Sequence, residues 1–251
     1  MIKSFNNYQK NYIELPFEFH QASLRRLEIL KVLKKYKPDN WLEVGCGMNP
    51  LFIDYPYGKL ITVVEPADKF FKKLTQLKND FTQLNTQLIN SRLEDLINDS
   101  NAIQLQDLII ISSLLHEIPN TKLFLKKVFK LGDSNTKYIF IVPNANSMHR
   151  QIAHKMGIID ELNQLSKQQI LLEQNIVYSP ISLKKELENN DFKVETIETI
   201  ILKPFTHFQM QNILDHNILT KEHIYTLSQM VNIAPDFGSE ILAIASKRAK
   251  N

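Results

Sequence analysis

The sequence contains a single cysteine, so an intramolecular disulfide within this chain is excluded and a disulfide-stabilised scaffold with it. No apolar run approaches the roughly 20 residues that a bilayer requires. Residues 1–15 also lack the apolar stretch of a secretory signal. These absences predict a cytoplasmic protein without a membrane partner.

The sequence also has little net charge. The chain has 30 Lys and Arg against 27 Asp and Glu, and a formal net charge of +3 is too small to imply a polyanionic partner. Positive charge is concentrated only in residues 25–37, which we interpret as a solvated helix face. The seven histidines and Cys46 show no zinc-like spacing, and no H-E-x-x-H is present. The sequence therefore predicts no metal site.

The composition is otherwise that of an ordinary globular protein, with 43% hydrophobic and 23% charged residues. An amphipathic helix is predicted over Phe19–Tyr36, because apolar residues recur there at helical spacing. Strands then alternate with helices, which predicts an α/β, doubly wound, parallel sheet. The last two strands are compatible with an antiparallel hairpin at one edge. The predicted strands are Trp41–Val44, Lys59–Glu65, Gln87–Asn90, Asp107–Ser112, Tyr138–Val142, Phe192–Leu202 and Glu240–Ser246.

The first strand runs into a turn that contains two glycines, Gly45 and Gly47. Without a Cβ, both residues let the backbone approach a ligand closely. Asn49 tolerates a left-handed conformation, and Pro50 suits the first turn of a helix. The turn lies at the carboxyl end of a strand, where open α/β sheets bind ligands. A plain tight turn is the alternative interpretation.

Glu65 ends the second strand about 20 residues after this turn, where a carboxylate can accept hydrogen bonds from both hydroxyls of a ribose. A solvated surface glutamate is the alternative. The dinucleotide pattern G-x-G-x-x-G is not completed, because Asn49 and Pro50 follow Gly47. An amino-acid-linked nucleoside therefore fits the turn better than NAD.

Four segments resemble the class I S-adenosylmethionine-dependent methyltransferase family. Residues 43–47, EVGCG, are similar to the family's E-x-G-x-G first motif, and residues 64–66, VEP, to its ribose-binding acidic motif. Residues 91–96 fall where the family lays the adenine, and residues 112–120 resemble the segment after its fourth strand. The resemblance covers about residues 38–145.

The resemblance implies a methyltransferase that uses S-adenosylmethionine, on a seven-stranded, mostly parallel Rossmann-like sheet of order 3-2-1-4-5-7-6. Glu43 would orient the amino group of the cofactor, and Glu65 would hold its ribose. The backbone at Arg92 and Leu93 would border the adenine. The residues that the resemblance assigns to the cofactor are Glu43, Gly45, Cys46, Gly47, Glu65, Pro66, Arg92, Leu93 and Ser112.

The expected reaction makes modest demands on the protein, because a sulfonium is already an activated methyl donor. The protein has to align a nucleophile with the methyl group and exclude water, and it needs a base only if the nucleophile loses a proton. His116, after the fourth strand, and His149, after the fifth, are the catalytic candidates. A structural or substrate-contacting role is the alternative for each histidine.

The acceptor is expected to be a small molecule, such as a sugar, a quinone-like ring or another biosynthetic intermediate. Asn144, Asn146, Arg150 and Tyr178 are the substrate-binding candidates. The alternative for this stretch is a simple loop in which Asn146 or Ser147 caps a helix. Further candidates for lining an acceptor pocket are Tyr8, Tyr12, Phe17, His20, His207 and Tyr225.

We expect one domain over residues 1–251, with a core that binds the cofactor at residues 37–143. A helical cap at residues 1–36 and helical insertions at residues 144–190 and 206–236 would cover the acceptor site.

Two other functions stay open. A catalytically silent scaffold would keep the sheet and engage a protein partner instead. An RNA methyltransferase would use the basic helix, with Arg25, Arg26, Lys31, Lys34 and Lys35. The sequence favours neither. The Asp/Asn-Pro-Pro-Tyr/Phe tetrapeptide of enzymes that methylate nucleobase or glutamine nitrogens is absent, and the sequence predicts no oligomeric state.

Overall fold

The computed structural model describes residues 15–98 and 103–249. No helix within these ranges is long and apolar enough to cross a membrane. The strands are β1 (Asn40–Val44), β2 (Leu60–Val64), β3 (Thr86–Ile89), β4 (Gln106–Ser112), β5 (Gly132–Pro143), β6 (Phe192–Leu202) and β7 (Gly238–Lys247). The helices are α1 (Glu18–Tyr36), α2 (Asp68–Lys78), α3 (Thr121–Lys130), α4 (Met148–Lys155), α5 (Lys167–Leu171), α6 (Pro180–Glu188), α7 (His207–Asp215) and α8 (Lys221–Gln229).

The seven strands form one sheet in the order β3-β2-β1-β4-β5-β7-β6. Strands β1 to β5 pair in parallel, whereas β7 lies antiparallel between β5 and β6. The predicted fold, strand order and closing antiparallel pair are thereby confirmed. The strand order reverses between β1 and β4, and the carboxyl ends of strands at such a point form a ligand-binding crevice.

Alternation along the strands divides the apolar residues between two cores. On β4, Leu108 and Ile110 pack into the core that also contains α1 residues. Ile109 and Ile111 pack into the core on the opposite face. Because both faces of β4 are covered, its apolar run is nearly continuous, as is expected of a strand in a parallel sheet.

Helix α1 is bound to the sheet by both apolar and ionic contacts. Ile29 and Leu33 are buried in the first core. Arg25 is also buried, and its guanidinium donates to both carboxylate oxygens of Glu240 on β7 at 2.6 and 2.7 Å. The helix ends at Tyr36, and Lys37 after it leaves the helical conformation with a φ of 47°, because the residue before a proline is disfavoured in the α region. Removing one partner of such a buried pair is strongly destabilising.

The β5-β7-β6 edge has its own aromatic cluster, centred on the buried ring of Phe192 at the start of β6. The rings of Tyr138 and Phe140 on β5 lie 4.9 and 5.5 Å from it, both nearly perpendicular. The ring of Phe129 on α3 lies 5.4 Å away on the same side. Edge-to-face pairs of this kind favour a defined arrangement of rings, so this edge is a packed region and not a cleft.

Candidate active site

A cavity of about 970 Å³ opens where the carboxyl ends of β1, β2 and β4 meet α1. Its volume lies at the upper end of the roughly 300–1,000 Å³ typical of small-molecule sites. All nine residues assigned to the cofactor from the sequence line this one cavity. They are Glu43, Gly45, Cys46, Gly47, Glu65, Pro66, Arg92, Leu93 and Ser112.

The turn after β1 gives the cavity a wall of bare backbone. Gly45 and Gly47 have φ values of +76° and +57°, in the left-handed region where a Cβ is disfavoured. A Cβ built on Gly47 meets nothing within 4 Å, so this glycine faces open space in the cavity. A Cβ on Gly45 would lie 3.4 Å from the side chain of Leu114. Glycine is therefore needed for conformation at both positions and for ligand approach at Gly47.

Glu65 holds the glycine turn from the end of β2. One carboxylate oxygen accepts a hydrogen bond from the backbone N–H of Gly47 and the other from that of Ala67, both at 2.9 Å. Burial raises the pKa of Glu65 to about 7, although these two hydrogen bonds act in the opposite direction. A carboxylate offers about four acceptor sites, so Glu65 keeps capacity for hydroxyl donors from a ligand.

Glu43 and Cys46 line the cavity beside the glycine turn. A carboxylate oxygen of Glu43 accepts from the backbone N–H of Leu51 at 2.9 Å, and burial raises the pKa of Glu43 to about 7. Burial also raises the pKa of the Cys46 thiol, and the charges of Glu43 and Glu65 raise it further. The thiol is therefore protonated at neutral pH and is not an activated nucleophile.

The two histidines predicted to be catalytic lie outside the residues that line this cavity. His116 is 1% exposed, and its Nε2 atom lies 3.8 Å from a carboxylate oxygen of Glu117. Burial lowers the pKa of His149 well below its usual value, and the charge of Lys203 lowers it further. Within the described ranges, Glu117 faces the cavity where His116 was expected.

Asn144 and Tyr178, predicted to bind the acceptor, are both 1% exposed and form part of a packed junction. The amide nitrogen of Asn144 donates to the carbonyl of Gly238 at 2.8 Å. Its amide oxygen accepts from the backbone N–H of Asn146 at 2.9 Å. These bonds fasten the loop after β5 to the start of β7, so the structure does not bring these residues to the cavity.

The side chain of Arg150 is likewise hydrogen-bonded to the backbone. Its guanidinium donates to the carbonyl of Leu162 at 2.7 Å, to the carbonyl of Gln164 and to the side chain of Gln169. Ser147 precedes the first residue of α4, at one of the two cap positions that the loop interpretation named. This segment organises the connection from α4 to α5 and adds no described lining residue to the cavity.

Other elements supply the rest of the cavity lining. Helix α1 contributes Glu18, Phe19 and neighbouring residues, and the segment after β4 contributes Ser113, Leu114 and residues 117–119. Residues 173–175 close one side. Asn175 fixes this last segment, because its backbone N–H donates to the carbonyl of His116 and its amide to that of Glu117, both at 2.9 Å. The sequence gives no local signal for these residues, since they meet only through the tertiary fold. Residues 206–236 contribute none of the described lining residues.

Within residues 15–98 and 103–249, the remaining candidates for an acceptor pocket lie outside the residues that line the cavity. Phe17 is buried, with its ring 6.0 Å from that of His207, and Tyr225 is exposed on α8. His20 lies beside Phe17, with ring centroids 5.5 Å apart. Tyr8 and Tyr12 lie outside the described residues.

The basic helix proposed for RNA is only partly open to solvent. Arg25 is bound to Glu240, as described above, and Arg26 donates to Asp54 and to two backbone carbonyls. Lys31 lies 2.7 Å from a carboxylate oxygen of Glu28. Three of the five cations thus have carboxylate partners. Within the described ranges, no group of three or more His, Cys, Asp and Glu residues is arranged to hold a metal ion.

No protein-family model and no curated protein matches the chain by sequence. Solved structures do match its fold. The plantazolicin methyltransferase BamL, in complex with a triazolic desmethylPZN analog and SAH, aligns with a TM-score of 0.61 over 98% of this chain and 97% of that one, at 14% identity. A Thermotoga maritima SAM-dependent methyltransferase, described as a possible histamine N-methyltransferase, aligns with a TM-score of 0.59 over 97% and 99% of the two chains, at 12% identity.

A third match is an S-adenosylmethionine-dependent methyltransferase from Mesorhizobium loti, with a TM-score of 0.58 over 86% of this chain and 96% of that one, at 13% identity. The chain therefore has the Rossmann-like fold of class I methyltransferases. Because a fold hosts many activities, the activity has to be argued from the cavity.

Proposed function

We propose that the protein is an S-adenosylmethionine-dependent methyltransferase that acts on a small-molecule acceptor. The observation that carries this proposal is that all nine residues assigned to the cofactor from the sequence, drawn from four separate segments, line one cavity at the switch point of the sheet. Residues from four separate segments would not be expected to meet in a single crevice by chance.

The residues present fit this cofactor. Gly47 offers bare backbone to a ligand, and the oriented carboxylate of Glu65 suits two vicinal hydroxyls. Glu43 is a second buried carboxylate beside the turn, suited to an ammonium group. When bound, the cofactor would supply a methyl group on a sulfonium, which needs no further activation.

The protein's own contribution would be alignment and exclusion of water. The cavity continues past the glycine turn to α1 and to residues 173–175, which leaves space for a second, acceptor molecule. Apolar side chains such as Ile29 and Ile118 also line the cavity and would keep it dry. The plantazolicin and mitomycin methyltransferases among the matched structures are named for small-molecule acceptors, which supports the same class here.

Calorimetric titration of the full chain with S-adenosylhomocysteine tests the proposal. We expect saturable binding, and we expect Gly45→Val to abolish it, because a branched side chain at φ +76° strains the turn and its Cβ lies against Leu114. Thermal unfolding of the variant would establish that it is folded. Absence of binding to the folded, unmodified chain at millimolar ligand would overturn the proposal and favour the scaffold alternative.

A further inference from the structure

The cavity wall contains a glutamine whose side-chain amide is not hydrogen-bonded. Gln174 lines the cavity, and its amide oxygen is enclosed by protein atoms. Among residues 15–98 and 103–249, no group donates a hydrogen bond to that oxygen, and none accepts one from the amide nitrogen. An enclosed polar atom without a partner costs stability, and at the wall of a cavity it is suited to a ligand that brings one.

Two other glutamines show how the fold itself holds such an amide. Gln21 and Gln106 also have an enclosed amide oxygen without a partner in the described ranges. The amide nitrogen of Gln21, however, donates to Glu240 at 2.7 Å. That of Gln106 donates to the carbonyl of Gln104 at 2.9 Å. Both amides are therefore fastened by their nitrogen, and both lie outside the residues that line the cavity.

The backbone around Gln174, in contrast to its amide, is held firmly. Its own N–H donates to the carbonyl of Gln169 at 2.9 Å, and that of Glu173 donates to the carbonyl of Ile170 at 3.0 Å. Glu173 has a φ of 54°, in the left-handed region that a residue other than glycine keeps only when its surroundings impose it. The fold thus fixes the point from which the side chain reaches the cavity and leaves the amide unbonded.

Gln174 belongs to a segment that lies between the ends of β4 and β5. Asn175 is bonded to two carbonyls of the segment after β4, and Tyr178 bridges to Asn144 after β5. The residues assigned to the ribose and to the amino group of the cofactor come from β1 and from the end of β2, on the other side of β4 in the strand order. A ligand group that bonds to Gln174 is therefore expected to belong to the acceptor.

Resting on the proposed function, we infer that Gln174 determines acceptor specificity, because its amide oxygen accepts a hydrogen bond from an N–H or O–H group of an otherwise apolar acceptor. The last side-chain torsion of glutamine is broad, so the amide turns its oxygen toward the cavity at little cost. Ile118, Pro119 and Phe124 line the same cavity and suit the apolar part. A ligand without such a donor would leave the oxygen unpaired and would bind less tightly.

Melting temperatures of the chain without ligand test the first step of this inference. Gln174→Met keeps the length of the side chain and removes an unsatisfied amide, so this variant should melt at the temperature of the unmodified chain or above it. Gln169→Met is the matched control, because the Gln169 oxygen accepts from the Ser166 N–H at 2.9 Å and from Arg150 at 3.2 Å. It should melt about 2–4 °C lower. A comparable loss in Gln174→Met would show that the fold uses this amide and would overturn the inference.

Indole and benzofuran test the specificity itself, because they differ only in a ring N–H against a ring oxygen. Both are titrated into the full chain saturated with S-adenosylhomocysteine, and binding is followed by ligand-observed NMR. We expect indole to bind about three- to tenfold more tightly, the range that one net hydrogen bond provides. Gln174→Met should abolish this preference. Gln174→Glu, which keeps an accepting oxygen, and the control Gln169→Met should retain it.

Absence of indole binding, equal affinity for the two ligands, a preference that survives Gln174→Met, or its loss in Gln174→Glu would overturn the inference. Weaker binding of S-adenosylhomocysteine to Gln174→Met would assign the amide to the cofactor, which overturns the inference and leaves the proposed function intact. The proposed function fails instead if the folded, unmodified chain does not bind S-adenosylhomocysteine. The two failures are therefore distinguishable.

Discussion

The two ends of the sheet's carboxyl edge use similar residues for different purposes. At the β1–β2 end, Gly47 and Glu65 face an open cavity. Beyond β5, Asn144 and Arg150 are also polar residues close to a strand end, yet both are buried and their side chains are bonded to backbone. A polar side chain at the end of a strand therefore serves either a ligand or the chain itself.

The difference lies in what each polar group finds within reach. Glu65 is bonded to two nearby backbone N–H groups and still borders empty volume. Asn144 is enclosed by the start of β7, whose carbonyls take up its amide. Because buried polar groups must be paired, the antiparallel strand inserted beside β5 converts a possible acceptor site into a structural junction. Ligand affinity and stability should respond separately to mutations at the two ends.

The largest expected effect is on ligand affinity at Glu65. Glu65→Ala should weaken binding of S-adenosylhomocysteine at least about 100-fold, because two charge-assisted hydrogen bonds are lost together with the support of the Gly47 N–H. Titration calorimetry measures this. Glu198→Ala, which removes an exposed carboxylate on β6, is the matched control and should bind normally. Equal affinity of the two variants for S-adenosylhomocysteine would show that Glu65 does not contribute to the ligand site.

The opposite response is expected at Asn144. Asn144→Ala should lower the free energy of unfolding by about 2 kcal/mol, because it leaves the Asn146 N–H and the Gly238 carbonyl without their partner. Affinity for S-adenosylhomocysteine should be unchanged. Denaturant unfolding measures the first quantity and calorimetry the second. Asn146→Ala is the control: it removes a side chain without such hydrogen bonds and should leave the stability nearly unchanged. Weaker ligand binding by Asn144→Ala would contradict the prediction and indicate that Asn144 belongs to the ligand site.

Features that depend on short segments could be predicted from the sequence, whereas features that depend on tertiary contacts could not. The fold, the strand order and the glycine wall depend on patterns within short segments, such as the two glycines at Gly45 and Gly47. The rest of the cavity lining comes together through long-range packing. Glu18, for example, lies 3.3 Å from Arg25, which is in turn bound to Glu240 on a strand near the other end of the chain. No spacing within α1 encodes that contact.

A smaller effect should separate conformation from ligand contact at the glycines. Gly47 and Gly157 have similar φ values, +57° and +68°, and a Cβ on either meets nothing within 4 Å. Alanine at each should therefore cost a similar 1–2 kcal/mol of stability, roughly the cost of the left-handed conformation. Only Gly47→Ala should also weaken S-adenosylhomocysteine binding, by about tenfold, because its methyl group enters the cavity. Equal losses of affinity in both variants would show that strain, and not contact, is responsible.

The smallest effect is a pH dependence that acts in opposite directions on affinity and stability. Glu43 and Glu65 have pKa values of about 7, raised from 4.5 by burial, so their ionised fraction grows as the pH rises from about 6 to about 8. Ligand hydroxyl and ammonium groups donate to the ionised form, and affinity for S-adenosylhomocysteine should rise several-fold over this range.

Stability should fall over the same range. A carboxyl whose pKa is raised on folding contributes most below its unfolded value of 4.5, and this contribution is lost as the pH passes through about 7. Calorimetry and denaturant unfolding at matched pH values measure the two trends. Glu65→Gln, which cannot ionise, should reduce both trends to the part that Glu43 contributes, whereas the same change at exposed Glu198 should alter neither. Parallel trends in affinity and stability would mean that the buried carboxylates of this wall serve the fold, as Asn144 does beyond β5, and would erase the distinction between the two ends of the sheet.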